Sequence, residues 1–240
     1  MKQGKPILLL RLLVGGLVLA ALGPGTVFAH SKDATPGGGE AHAGHHGHYG
    51  HHGGQHGAHH HEPEERPAEA VTIRFADVPL LDHNGRTVRL ESDVIGDRIV
   101  VMDFVYTSCT TVCPIVTAIM LQAQKQLGDR IGEDLRLVSM TVDPVRDTPS
   151  RLREYAQARG AGPDWVWVTG SVPAVNDTLR GFGTWTPNFE DHPVVMMVGD
   201  GRTGTWTRFY GFTDASELVA KVEELIEARE AMAASQHSTR

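Results

Sequence analysis

The sequence predicts an α/β domain over residues 71–232, a central sheet with helices on both faces. Three observations point there. Arg98 to Tyr106 is an apolar, β-branched run without alternation, as a strand buried on both faces requires. Past Pro114, the residues Ile115, Val116, Ile119, Met120, Ala123 and Leu127 recur at helical spacing, and Gly128 supplies a C-terminal cap. The same switch from strand to helix period then recurs downstream.

In order, Val88 to Leu90 reads as a short strand after the turn at Asn84-Gly85, followed by the Arg98 to Tyr106 strand and its helix. Leu135 to Val142 is the next strand. Thr148-Pro149 opens a helix that runs to about Arg159, with proline at the first helical position. Trp165 to Thr169 is a strand and Val172 to Phe182 a short helix. Val194 to Val198 and Thr205 to Tyr210 flank Gly199-Asp200-Gly201 as an antiparallel hairpin. The last helix opens near Asp214, with Glu217 three residues on, and buries Leu218, Val222, Leu225 and Ile226. Residues 233–240 are expected to form a flexible C-terminal tail.

Residues 1–29 have the layout of a secretory signal peptide. Lys2 and Lys5 precede an apolar run from Leu12 to Leu22, and Val27-Phe28-Ala29 suits cleavage. The run is shorter than the ~20 residues a spanning helix needs. The expectation is an exported, periplasmic protein; a leader that stays uncleaved would tether it to the outer face of the cytoplasmic membrane. Residues 30–70 are a His/Gly-rich segment and linker. His30 to His61 holds 11 of the 14 histidines and almost no large apolar residue, so it is expected to be disordered. Clusters such as His59-His60-His61 offer imidazoles to copper, zinc or nickel, an auxiliary metal element or a mere solvated spacer. The net charge of −7 disfavours nucleic acid as a partner.

The two cysteines, Cys109 and Cys113, stand in Cys-Thr-Thr-Val-Cys-Pro between the apolar strand and the helix. Strand, cysteine motif, helix is the thioredoxin arrangement. The loop between them is too short for a disulfide to remove much unfolded-state entropy, which favours chemistry over stapling. Residues four apart on a helical turn share a face, so two sulfurs can hold one ion or close a disulfide. With Pro114 at the first helical position, Cys113 would sit at the helix N-terminus, where free N–H groups and the dipole stabilise a thiolate. Two thiolates select copper(I) or zinc. Zinc wants a fourth protein ligand and no third cysteine exists. Copper(I) accepts two or three ligands, and His192, in Glu190-Asp191-His192-Pro193, is the candidate third; Asp191 could orient its ring. His83 is expected to be an ordinary structural histidine. Asp147 and Thr148 are expected to cap the following helix, and Asp143 to be structural. Gly199-Asp200-Gly201-Arg202-Thr203-Gly204 fits a dinucleotide fingerprint, but a strand follows it where a phosphate-binding helix is needed.

Asp103 to Pro114, Val142 to Pro149 and Asp191-His192 together resemble the signature of the Sco/SenC family of copper-delivery proteins, in the family's order. The resemblance implies a thioredoxin-like fold and copper, as Cu(I) with Cu(II) also open, on Cys109, Cys113 and His192. It also implies delivery to the copper-bearing subunit of cytochrome c oxidase, with a periplasmic copper donor upstream. Ligation needs reduced thiols, so a thioredoxin-like thiol reductant is expected as a further partner. The rival reading is an enzyme, a thiol–disulfide oxidoreductase in which Cys109 attacks and Cys113 resolves. A peroxidase is third, set back by the three-residue gap between the cysteines.

Overall fold

The computed structural model describes residues 66–132 and 134–238. The leader, and the His-rich segment up to residue 65, lie outside the described residues. Eight strands form one mixed sheet: β1 (Glu69–Val71), β2 (Leu80–Asp82), β3 (Thr87–Val88), β4 (Ile99–Val105), β5 (Leu135–Thr141), β6 (Trp165–Thr169), β7 (Val195–Asp200) and β8 (Thr205–Tyr210). Their order is β1-β8-β7-β4-β5-β6-β2-β3. Only the pairs β4–β5 and β5–β6 are parallel. Four helices cover it: α1 (Val112–Leu127), α2 (Pro149–Arg159), α3 (Val172–Gly181) and α4 (Ala215–Ser238).

β4 is the hub. All seven of its residues are buried, because side chains alternate between two covered faces. Ile99, Val101 and Val105 meet α1, α2 and α4 through Val116, Met120, Leu152, Leu218 and Val222. Val100, Met102 and Phe104 meet α3 and the π-helical turn Leu90–Ile95 through Val175, Leu179, Val94 and Ile95. Met196 and Met197 point to opposite faces and are fully buried in these two cores. The Met-rich stretch of β7 is therefore packing material.

Several sequence expectations shift by a residue or two at element ends. Three differences have a clear cause. β1 and β2 were not anticipated, because three-residue strands carry no readable period; β1 pairs with β8, and its Val71 packs against the core. α1 begins at Val112, so Cys113 and Pro114 are its second and third residues. Proline is tolerated there because first-turn N–H groups have no intrahelical acceptor. α4 continues through Ser238, past residue 232, so helix rather than tail occupies that stretch.

One buried charge stands out in β4. Asp103 is fully buried; Ser139 Oγ donates to its Oδ1 and is itself bonded by Trp165 Nε1 at 2.8 Å, while Oδ2 has no partner. Burial dominates and pushes its carboxyl up from 3.8 to about 7, against the Ser139 hydrogen bond. Between about pH 4 and 7 the unfolded chain gives up this proton while the folded one keeps it. Folding therefore loses stability as pH rises through that window, and the loss levels off above it. In urea melts, the gap between Asp103→Asn and the parent should shift in the variant's favour from pH 4 to 7, by about 1–3 kcal/mol. A gap that does not move with pH would contradict the assignment.

Candidate metal centre

The site lies where β4 ends and α1 begins. The turn Tyr106-Thr107-Ser108 carries the chain to Cys109, whose N–H bonds Tyr106 O at 3.2 Å. Asp147 clamps this turn from 40 residues away. Its carboxylate accepts Thr107 N–H at 3.1 Å, Thr107 Oγ1, and Thr141 Oγ1 at 2.6 Å. Asp147 is therefore not a helix cap; Thr148 alone does that for α2, accepting Arg151 N–H. Asp143 is structural as expected, buried and paired with Arg146 at 2.9 Å.

Cys109 and Cys113 are both free thiols, 7% and 1% exposed. Cys113 N–H donates to Cys109 Sγ at 3.2 Å. Cys109 thus does for α1 what a serine or threonine oxygen does in a cap, while the nominal cap residue Thr111 makes no side-chain bond. This reverses the expected polarity of the pair. Burial works against a Cys109 thiolate, but hydrogen bonds from Cys113 N–H and thiol, Thr111 N–H and the Tyr106 hydroxyl outweigh it, bringing the thiol down from 9.0 to about 7. Burial pushes Cys113 up instead, helped by the neighbouring charge of Cys109 and by Asp103. The sulfur outside the helix collects the N–H groups of Cys113 and Thr111, whereas the one within its first turn has that of Tyr106 and is outweighed by burial.

His192 follows the 3-10 turn Phe189–Asp191 and immediately precedes β7. Its Nδ1 bonds Phe189 O at 2.8 Å, which as an N–H donor leaves the Nε2 lone pair free. The Phe189 carbonyl orients the ring; Asp191 is engaged elsewhere, by Asn188 Nδ2 at 3.2 Å. Between His192 and the cysteines stands Tyr106. Its hydroxyl reaches Cys109, and its ring meets His192 edge-on at 5.7 Å and Phe189 at 5.0 Å. Among the described residues, no three His, Cys, Asp or Glu side chains stand close enough to enclose an ion. The cysteines are together; the histidine is one aromatic ring away. Beside His192 opens a groove of about 220 Å³ lined by Val142, Pro144, Val145, Trp185 and Phe189. His83 has no part in this. Its Nδ1 accepts Trp167 N–H at the far side of the sheet.

Tyr106 is the functional residue that sequence reasoning passed over. It lies within the quoted motif, but only its place at the strand end, facing both Cys109 and His192, gives it a role. A model of the SCO1/SenC family matches residues 64–227. This chain belongs to that family. It is 36% identical over 90 residues to the SCO1 protein homolog of Bacillus subtilis, which covers 37% of this chain and 45% of the relative. The chain spans about half the length of the curated relatives it matches. Among solved structures it resembles Arabidopsis thaliana ScoI with copper bound, at TM-score 0.55 and 22% identity over 64% of this chain and 98% of that one. It also resembles BsSco, described as a member of the Sco family of cytochrome c oxidase assembly proteins, at TM-score 0.55 and 23% identity over 65% and 95%. The SCO1/SenC domain here has the thioredoxin-like fold that its sequence implied.

Two outcomes test the geometry. Alkylation of the reduced protein should rise through a midpoint near pH 7 and modify Cys109 first; mass mapping that finds Cys113 modified first would refute the polarity of the pair. Asp147→Ala should cost about 1–3 kcal/mol, because Thr107 and Thr141 lose a buried charged acceptor. A denaturant midpoint unchanged from the parent would show that the clamp carries no weight.

Proposed function

We propose that this SCO1/SenC protein is a copper metallochaperone of the cell envelope. Its cargo is copper, received on Cys109, Cys113 and His192 and passed to the copper-bearing subunit of cytochrome c oxidase for the binuclear site. The observation that carries this reading is the donor set. Two reduced cysteines adjoin, the backbone N–H of Cys113 donating to the Cys109 sulfur, and an imidazole with Nε2 free stands behind a single tyrosine ring. Two soft thiolates and one imidazole suit a three-coordinate Cu(I). The relatives named above, one solved with copper and one described as an assembly factor for cytochrome c oxidase, support the same cargo and acceptor.

The chain's own residues divide the work. Cys109, its thiol lowered to about 7 and so substantially ionised near neutrality, is the first ligand. Cys113 must give up its proton on ligation, since burial holds it as a thiol. His192 closes on the pair once Tyr106 and the 186–193 loop shift, with Phe189 O holding the ring by Nδ1. A three-ligand site with a movable third member gives up its ion to an acceptor of similar softness by exchanging one ligand at a time. Exposed Ile115, Val145 and Val172 beside the cysteines and the groove offer an apolar rim for that acceptor. Export by the leader and a periplasmic thiol reductant complete the proposal, because the compartment would otherwise oxidise the pair.

One observation favours a second reading, a thiol–disulfide oxidoreductase. The pair is polarised, Cys109 toward thiolate and Cys113 toward thiol. Cys109 sulfur would attack a substrate disulfide, releasing one substrate thiolate that takes a proton. Cys113 would then attack Cys109, freeing the second thiol and leaving a Cys109–Cys113 disulfide for an external thiol reductant to reset.

X-ray absorption on the reduced full chain loaded with one Cu(I) separates the two. The delivery reading expects two sulfur neighbours and one nitrogen. Sulfur ligation should be lost in Cys109→Ser and Cys113→Ser, and affinity should weaken roughly tenfold to hundredfold in His192→Ala. Copper with no sulfur neighbour, alongside intact turnover of a model disulfide, would move the protein to the redox enzymes.

A further inference from the structure

Tyr106 stands between the two halves of the donor set, and the packing around it holds it there. Its backbone leads into Thr107, whose N–H Asp147 accepts at 3.1 Å. Its hydroxyl donates to Cys109. Its ring is half-buried and packs against both hydrophobic cores of the sheet. On the side away from the cysteines the ring meets Phe189 edge-on at 5.0 Å and 81°, and His192 at 5.7 Å and 78°. Phe189 is backed in turn by the Arg146 guanidinium, 5.3 Å over its ring, and Arg146 is tied to buried Asp143 at 2.9 Å. The Phe189 carbonyl then holds His192 Nδ1 at 2.8 Å. Tyr106, Phe189 and His192 thus form one packed unit, wedged between the cysteine turn and the start of β7.

With the ring in place, an ion arriving at the cysteines finds two sulfurs and no imidazole, since His192 lies behind the tyrosine. A cuprous ion is held well by two thiolates. A zinc ion takes tetrahedral coordination with three or four protein ligands, so the same pair holds it poorly. Edge-on aromatic contacts and a hydroxyl–sulfur hydrogen bond are individually weak, so an ion that engages Cys109 can displace the ring. Which ion reaches the three-donor state is therefore decided while only two donors are available.

We propose that Tyr106 is a positioning residue that acts through His192 and sets the metal selectivity of the centre. It withholds the imidazole until an ion is already bound by both sulfurs, and so admits Cu(I) over tetrahedral divalent ions. This deepens the copper reading above and rests on it. In the step itself, the Cys109 sulfur exchanges its hydrogen bond from the Tyr106 hydroxyl for a bond to the metal. The phenol keeps its proton and turns to water, the Cys113 thiol proton goes to solvent, and His192 Nε2 completes the site with its neutral lone pair. No electron moves, and the ion keeps its charge. Hydroxyl and ring have separate effects: the hydroxyl supports Cys109 as a ligand, and the bulk of the ring keeps His192 away.

The test titrates the reduced full chain with Cu(I), and separately with Co(II), each buffered by a competing chelator. Cobalt takes zinc's tetrahedral geometry. Its thiolate charge-transfer band, like the Cu(I)–thiolate ultraviolet band, reads the sulfur site irrespective of histidines elsewhere in the chain. Tyr106→Phe keeps the ring and should keep the parent's selectivity. Tyr106→Leu opens the gap and should raise Co(II) affinity about tenfold, with a tetrahedral spectrum, while Cu(I) affinity moves less than about threefold. Phe189→Leu removes the ring's packing partner and should shift the ratio the same way; it decides the matter if Tyr106→Leu does not fold. Adding His192→Ala to either leucine variant should abolish the gain, because the gain is the imidazole's. The gate is overturned, with the copper centre left standing, by a Co(II)-to-Cu(I) ratio unchanged in both leucine variants. A gain that survives His192→Ala, or one that is as large in Tyr106→Phe, overturns it equally. No Cu(I)–thiolate band in the parent would overturn both.

Discussion

A single carboxylate, Asp147, holds together the end of β4 and the turn after β5, and the candidate metal centre is built on what it holds. It takes the Thr107 backbone and hydroxyl on one side and the Thr141 hydroxyl on the other. A buried carboxylate is costly unless several donors converge on it, so its position is dictated by those donors and theirs by it. Tyr106 lies immediately before the clamped Thr107 and Cys109 two residues after it. Their distances to each other and to α1 follow from a turn that is fixed at one point and free to be shaped elsewhere.

From that clamp the electrostatics of the cysteine pair follow. A sulfur placed just outside a helix N-terminus meets N–H groups that have no other acceptor, and it is stabilised as an anion. A sulfur inside the first turn points into the core and is not. Asp103 beneath the pair reinforces the difference, since any negative charge there discourages a second thiolate at Cys113. One thiol ready to ligate and one held back is what a carrier needs if it is to bind an ion stepwise and release it stepwise. Tyr106 spans the gap to His192, so the same ring that supports the Cys109 thiolate also separates the two halves of the donor set.

The sheet's long elements were legible because their residues have only one way to be buried. Ile99 to Val105 is apolar but for Asp103, and Thr148-Pro149 carries its cap chemistry in the chain itself. β1 and β2 were not legible, since three residues show no period; β1 pairs with a strand more than 130 residues away, and β2 is placed between nearby β3 and β6, more than 80 residues on. The start of α1 was misplaced by two residues for a related reason. Proline is compatible with any position of the first turn, and what selected Val112 as the start was the reach of Cys109 Sγ to Cys113 N–H.

Sequence alone determined the identities that make copper chemistry conceivable here: two cysteines four apart between strand and helix, a histidine before a late strand, and a histidine-dense approach to the domain. These are matters of residue type and local spacing, which the chain carries with it. Tertiary structure decided which sulfur is favoured as the thiolate, that Asp147 clamps a turn instead of capping a helix, and that a carbonyl rather than Asp191 orients His192. Each of those depends on groups distant in sequence arriving at one place, and burial and hydrogen-bond geometry, not local propensity, choose among the arrangements the same residues allow.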